Sequence, residues 1–142
     1  MKSKVFLDTS YAIALTNPAD THHHHALKLA DFLESQGVIL FTTQAVATEI
    51  GNAFAQQRYR QAGIQLLNAI EADPQITIVP VDDLLYQRAL RLYGDRPDKE
   101  WGMTDCISFI VMREQSLTDA LTADRHFQQA RFCALLREPV PE

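Results

Sequence analysis

The sequence is short of the residues that mark several classes of protein. Only two cysteines, Cys106 and Cys133, occur among 142 residues, and their apolar neighbours and spacing do not match a metal-binding pattern. Five glycines and six prolines are too few for a disordered chain, and a hydrophobic fraction of 46% indicates a packed core instead. We therefore expect reduced, core-buried cysteines in a single domain that comprises residues 1–142.

Long apolar runs and an excess of positive charge are also missing. No run approaches the roughly 18 residues of a membrane-spanning helix. The short apolar segment near the start is interrupted by Asp8, and no cleavage-like signal follows it. These features predict a cytoplasmic protein without a membrane anchor. The formal net charge of -5 is unlike that of a typical nucleic-acid binder, so such a function requires cations or local basic patches.

Short apolar strands alternate with helical segments along the chain. Strands are predicted at 5–7, 38–41, 76–81, 120–122 and 132–136. Helical periodicity and capping residues predict helices at 11–15, 22–35, about 43–58, 60–72, about 83–94 and 104–115, with a short one from about 124. This alternation predicts an α/β sandwich around a mostly parallel sheet.

Two of the predicted helices begin at hydroxyl residues. Thr42 or Thr43 can cap a helix that runs to about Arg58. Thr104 is predicted to cap a helix that runs to about Gln115 and carries little polar surface, so it should be largely buried.

Four acidic residues lie at the ends or in the early turns of these elements. Asp8 follows the first strand, and Asp124 follows the strand that contains Leu121. Asp105 lies in the first turn of the buried helix, and Glu49 lies beside the inward face of the helix after the second strand. Ligand sites in parallel sheets form outside the carboxyl ends of the strands. The fold therefore predicts that the four carboxylates gather at one edge.

Each acid also has a purely structural explanation. Asp8 can bond to amides of its own turn, and Asp105 favours a helix N-terminus, where a negative charge is worth about 0.3–1 kcal/mol. Asp124 can cap the short helix that follows it. Glu49 is the hardest to explain in this way, because Val46 and Ile50 flank it on the inward face.

Gathered carboxylates need a counter-charge. Two of them about 4 Å apart repel by about 4 kcal/mol at an effective dielectric near 20. Such a cluster must raise its pKa values, open up or hold a cation. Oxygen ligands select hard ions, so Mg²⁺ or Mn²⁺ is the expected occupant. A bound dication also allows an acidic pocket to approach a phosphate.

Four stretches, spread over the chain in order, resemble the PIN domain family and, within it, the VapC-type toxin ribonucleases. They read VFLDTS, TEIGNAF, WGMTDCISF and ALTADRHFQQARF. The resemblance implies a three-layer α/β/α sandwich and a Mg²⁺- or Mn²⁺-dependent ribonuclease that hydrolyses phosphodiester bonds of RNA. It also implies the toxin of a type II toxin–antitoxin pair, with a homodimer and a small antitoxin protein as partner.

The resemblance assigns the catalytic and metal-binding roles to Asp8, Glu49, Asp105 and Asp124. Hydroxyl support would come from Ser10, Thr104 or Thr122. In the mechanism that follows, Asp8 and Asp105 hold the main ion and the other two acids complete the pocket. The ion polarises the scissile phosphate and activates a water for in-line attack.

Several residues are left with two interpretations each. Members of this family often have glycine where this chain has Arg131, which can alter the final turn or contact RNA. His126 either contacts phosphate near the site or is simply exposed, and Asn52 either supports Glu49 or is solvated. Trp101, placed in a loop, is open to packing or base stacking, and the run His22–His25 is interpreted as a solvated helix start rather than a zinc site.

Other classes fit less well. An aspartyl phosphatase needs a second acid two residues after the first, where Ser10 stands, and a receiver domain needs a late lysine, whereas none follows Lys99. The remaining alternative is a catalytically inactive PIN-like module that binds RNA or an antitoxin.

Overall fold

The central element is a sheet of five short strands, seen in a computed structural model that describes residues 3–141. The strands alternate with helices along the chain, as predicted. They are β1 (Lys4–Leu7), β2 (Ile39–Thr43), β3 (Ile76–Val79), β4 (Asp119–Leu121) and β5 (Cys133–Ala134).

The helices flank this sheet and give the three-layer α/β/α arrangement. Among residues 3–141, no helix combines the length and apolar character that crossing a bilayer requires. The helices are α1 (Thr9–Thr16), α2 (His23–Ser35), α3 (Gln44–Ala53), α4 (Gln57–Ala72), α5 (Asp83–Asp95), α6 (Met103–Glu114) and α7 (Arg125–Gln129), followed by a 3₁₀ turn at Leu135–Arg137.

The strand order is β3-β2-β1-β4-β5, and every pairing between neighbours is parallel. The predicted parallel sheet is therefore confirmed. β1 lies at the centre, and the chain leaves it toward β2 but later returns to its other side as β4. This reversal makes the gap between the ends of β1 and β4 the switch point at which ligand sites form in open parallel sheets.

An aromatic cluster fixes the two helices that border this switch point. Phe109 of α6 and Phe127 of α7 are both fully buried, with ring centroids 5.0 Å apart in an edge-on arrangement. Phe127 in turn lies 6.2 Å from Phe6 of β1. Each buried ring contributes about 1.5–3 kcal/mol through removal from water. The core therefore holds α6, α7 and β1 in a fixed relation.

Thr43 caps α3, as predicted, by accepting a hydrogen bond from the Val46 amide at 3.1 Å. However, α3 ends at Ala53 rather than at Arg58. Phe54 leaves the helix and packs so closely on Gly63 of α4 that a Cβ at Gly63 would lie 2.6 Å from the Phe54 Cβ. α4 folds back onto α3 directly after this point, and the weak helix formers Gly51 and Asn52 precede it.

Two further predicted boundaries were wrong. Gly102, not Thr104, is the N-cap of α6, because the Asp105 carboxylate reaches back and accepts from the Gly102 amide at 3.1 Å. The last strand is shorter than the predicted 132–136, since Leu136 turns into the 3₁₀ segment and donates its amide to the Thr122 carbonyl at 3.1 Å.

The end of α7 places a side chain where glycine is usually preferred. Arg131 has φ +72°, as Gly37 has φ +62° at the equivalent position after α2. The Arg131 amide donates to the Gln128 carbonyl at 3.0 Å, and the Phe132 amide donates to the Phe127 carbonyl at 2.9 Å. These bonds form the Schellman ending in which a left-handed residue closes the helix. The residue expected to alter the final turn therefore occupies a left-handed conformation.

We expect Arg131→Gly to stabilise the protein by about 1 kcal/mol, because glycine removes the steric cost of a Cβ in the left-handed region. Urea unfolding monitored by circular dichroism measures the change. Gly37→Ala is the matched control: it should destabilise by a similar amount, although a Cβ there meets nothing within 4 Å. A loss of stability in Arg131→Gly would show that contacts of the arginine outweigh the strain.

Candidate functional site

Asp8 stands at the end of the central strand and is almost fully buried, with 5% of its surface exposed. Its amide donates to the Leu121 carbonyl at 3.2 Å, which extends the pairing of β1 with β4. Its carboxylate Oδ2 accepts from the Thr122 hydroxyl at 2.8 Å and from the Ser10 hydroxyl at 3.4 Å. These bonds join the end of β1 to the end of β4.

The two hydroxyls also fix the loop that follows β4. Ser10 Oγ and Thr122 Oγ1 lie 3.0 Å apart, and because Thr122 donates its one proton to Asp8, the single Ser10 proton is shared between Thr122 Oγ1 and the more distant Asp8 Oδ2. Ser10 Oγ accepts from the Ala123 amide, and Thr122 Oγ1 accepts from the Asp124 amide, both at 3.0 Å. The loop thereby carries Asp124 to the edge of the sheet where Asp8 lies.

Asp105 and Asp124 meet at this edge through His126. Asp105 Oδ2 lies 2.8 Å from His126 Nδ1, and Asp124 Oδ1 lies 3.5 Å from the same nitrogen. One ligand atom from each of these three residues lies within 4.8 Å of the others. They form a group that can hold a metal ion.

Both aspartates also perform the structural roles that the sequence suggested for them. Asp124 caps α7 by accepting from the His126 amide at 2.8 Å, and Asp105 accepts from the Gly102 amide at 3.1 Å. In each case the hydrogen bonds go to one carboxylate oxygen. Within residues 3–141, the Asp105 Oδ1 and Asp124 Oδ2 atoms make no hydrogen bond. The caps therefore leave one oxygen of each residue available to a ligand.

Glu49 lies on α3, near enough to Asp8 for its charge to raise the pKa of that carboxyl. Val46 and Ile50 are fully buried, as expected for the inward face of α3, and Glu49 beside them is exposed to solvent. Successive residues point about 100° apart around a helix, so Glu49 lies beside the buried face formed by Val46 and Ile50 rather than on it. The negative charge of Glu49 contributes to the raised pKa of the Asp8 carboxyl. Asn52, one turn further on, is exposed as well.

Burial dominates the electrostatics of the site. It raises the pKa of Asp8 from 3.8 to about 7, and the charges of Asp105 and Glu49 add to the rise, while the Thr122 hydroxyl opposes it. Burial also raises the pKa of Asp105, with a further contribution from the charge of Asp124, against the hydrogen bond from His126. A bound dication would favour the ionised carboxylates. The oxygen donors of this set suit a hard divalent ion.

Two features singled out in the sequence lie outside this group. Trp101 is only 5% exposed, its indole N–H donates to Gln129 Oε1 at 3.0 Å, and its ring packs edge-on against Phe109. It is therefore a packing residue and offers no open face for a base. In the run His22–His25, His23 Nδ1 is hydrogen-bonded to the Ala14 carbonyl at 2.7 Å, which joins the start of α2 to α1.

The contact of His126 with Asp105 was missed by the sequence interpretation. The sequence did indicate that His126 lies near Asp124. Asp124 is the N-cap of α7, and His126, two residues later, lies in the first turn at the same end of that helix. What the sequence lacks is any indication that the first turn of α6 would face it.

A parallel α/β sheet with acidic side chains at its switch point defines a domain with a candidate site for a divalent ion. The chain belongs to the PIN domain family, whose sequence model matches residues 5–132. The resemblance based on its motifs is thereby confirmed.

Curated relatives and solved structures agree with this family. The "23S rRNA-specific endonuclease VapC20" of Mycobacterium tuberculosis, from the CDC 1551 and H37Rv strains, is 26% identical over 128 residues, which are 90% of this chain and 95% of the relative. The crystal structure of M. tuberculosis VapC20, described as a sarcin-ricin loop cleaving toxin, superposes with a TM-score of 0.81 at 25% identity, over 90% of this chain and 95% of that one. FitAcB from Neisseria gonorrhoeae shares the fold, with a TM-score of 0.62 at 19% identity over 92% and 95% of the two chains.

We expect Asp8→Asn to stabilise the protein above pH 7 in the presence of a chelator. The folded-state pKa of about 7 exceeds the ordinary 3.8, so the folded chain binds more protons and stability falls as the pH rises from about 4 to about 7. At about 1.4 kcal/mol per pH unit, the loss is on the order of 4 kcal/mol. Asparagine keeps the acceptor for Thr122 without the charge. Urea unfolding with EDTA at pH 4.5, 6 and 8 should give a flatter profile for the variant.

The control for this experiment is Asp95→Asn, which removes an exposed carboxylate at the end of α5 and should leave the profile as in the wild type. Equal stability of Asp8→Asn and wild type at pH 8 would contradict a destabilising buried charge.

Proposed function

We propose that this protein is a metal-dependent endoribonuclease, the toxin of a type II toxin–antitoxin pair. The observation that supports the proposal is the group of Asp105, Asp124 and His126 at the switch point of a PIN domain, beside a buried Asp8 whose pKa the charge of Asp105 helps to raise. The likeness to an rRNA endonuclease over 90% of this chain supports it. Glu49 acts on the same pocket through its charge.

We assign the binding of the ion, Mg²⁺ or Mn²⁺, to the four acids Asp8, Glu49, Asp105 and Asp124. When bound, the ion polarises the scissile phosphate and lowers the pKa of a water for in-line attack. The chain's own part is to hold the ligands rigidly: Thr122 and Ser10 fix Asp8, and the Gly102 amide fixes Asp105. Such supporting hydrogen bonds orient metal-binding carboxylates. Asp124 is held by the first turn of α7, and Glu49 completes the pocket from α3.

The negative net charge of the chain is compatible with an RNA substrate. A dication in the pocket neutralises the acids and attracts the phosphate. Exposed arginines also lie on the segment that carries Asp124, at Arg125, Arg131 and Arg137. The Arg137 guanidinium is held in place by its bond to the Ala123 carbonyl at 2.6 Å. These cations supply the local basic surface that contacts to an RNA backbone require.

The substrate and partners are proposed from the similarity to VapC20. The relative acts on 23S rRNA, and its structure is that of a sarcin-ricin loop cleaving toxin, so this loop is the first RNA to test. A small antitoxin protein that blocks the site and a homodimeric state belong to the same proposal. The inactive PIN-like module would bind the ion but release no cleaved RNA.

We expect the purified protein to cleave RNA in Mg²⁺ or Mn²⁺ and to lose this activity in EDTA. Asp8→Asn and Asp105→Asn should each lower the cleavage rate by about 100-fold or more, since each removes a charged ligand of the ion. Gel analysis of a sarcin-ricin loop oligonucleotide, with an unrelated stem-loop beside it, measures the rates.

Asp95→Asn serves again as the matched control and should cleave like the wild type. Full activity in either site variant, or in EDTA, would refute the metal mechanism. Tight binding of Mn²⁺ without cleavage of either RNA would favour the inactive module.

A further inference from the structure

We infer that His126 is a direct ligand of the divalent ion, which it binds through Nδ1 beside Asp105 and Asp124. The inference rests on the proposed metal-dependent function and adds a nitrogen donor to a site otherwise assigned to carboxylates. It makes the site selective for Mn²⁺ over Mg²⁺.

The distances within the group fit adjacent ligands of one ion. A small divalent ion lies about 2.1 Å from its ligands, so neighbouring ligands of an octahedral site are about 3 Å apart. His126 Nδ1 lies 2.8 Å from Asp105 Oδ2 and 3.5 Å from Asp124 Oδ1, oxygens that also accept the capping hydrogen bonds and would use a second lone pair for the ion. All three donors lie within 4.8 Å of one another. Small side-chain rotations bring them around one ion without a change in the backbone.

The backbone of α7 holds the ring at this position. The His126 amide is bonded to the capping carboxylate of Asp124 at 2.8 Å, and the next residue, Phe127, is fully buried in the aromatic cluster. The His126 side chain is only 30% exposed. Its Nδ1 therefore faces the two carboxylates as a consequence of the helix start and the core.

His126 can serve the site in two ways, which differ in whether Nδ1 carries a proton or offers its lone pair. In the supporting role, Nδ1–H donates to Asp105 and merely orients that carboxylate. In the ligand role, the lone pair of Nδ1 binds the ion. An imidazole donor is suited to transition metals, whereas Mg²⁺ is bound by oxygen ligands and water. Loss of His126 therefore affects Mn²⁺ binding more than Mg²⁺ binding only if the nitrogen is a ligand.

Pulsed electron paramagnetic resonance on the protein with one equivalent of Mn²⁺ tests the inference directly. We expect the ¹⁴N coupling of a bound imidazole in the wild type and its loss in His126→Gln. His24→Gln, which alters an exposed histidine in the run at the start of α2, should keep the coupling. Titration calorimetry should show that His126→Gln weakens Mn²⁺ binding about 10- to 100-fold, and Mg²⁺ binding less than about threefold.

Absence of ¹⁴N coupling in the wild type would overturn the inference, as would coupling that persists in His126→Gln or an equal loss of affinity for both ions. His126→Asn, together with melting curves of both variants, guards against an effect of misfolding. RNA cleavage by the same samples separates the two proposals. Cleavage without nitrogen coupling refutes the ligand and leaves the ribonuclease. Nitrogen coupling without cleavage supports the ligand and refutes the ribonuclease.

Discussion

A carboxylate buried at the end of the central strand requires compensation, and the surrounding site is arranged around that requirement. Burial, partly opposed by hydrogen bonds and reinforced by the charges of Asp105 and Glu49, raises the pKa of Asp8 to about 7. The Thr122 hydroxyl offsets part of this cost, and together with the Ser10 hydroxyl it joins β4 to β1. The same hydroxyls hold the loop that brings Asp124 to the edge of the sheet. A divalent ion would supply further compensation, and Asp105 and Asp124 carry the oxygen donors that such an ion binds.

Structural and chemical roles coincide in the other two aspartates. Asp105 and Asp124 each stabilise a helix start through one oxygen and turn toward each other across His126. A capping carboxylate is held by backbone amides, which reduces its freedom to rotate. Such a residue is a well-positioned ligand, so a cap at this edge of the sheet is no argument against a metal site.

One wrongly placed boundary and one unexpected burial have the same physical cause. α3 ends at Ala53 because Phe54 packs on Gly63 of the next helix, and nothing in the residues around Phe54 interrupts helical periodicity. Likewise, Trp101 lies in a segment without periodicity, yet it is buried because Phe109 and Gln129 contact it. Long-range contacts override local propensity in both places.

The sequence by itself determined the alternation of strands and helices, the central strand that ends in Asp8, and the acids after β1 and β4. Hydrophobic periodicity and caps are local properties, and parallel strands place their carboxyl ends at one edge. Only the tertiary structure decided which side chains meet there. It brought His126 against Asp105, 21 residues away in the sequence. That contact depends on how α6 and α7 pack through Phe109 and Phe127, which no local pattern encodes.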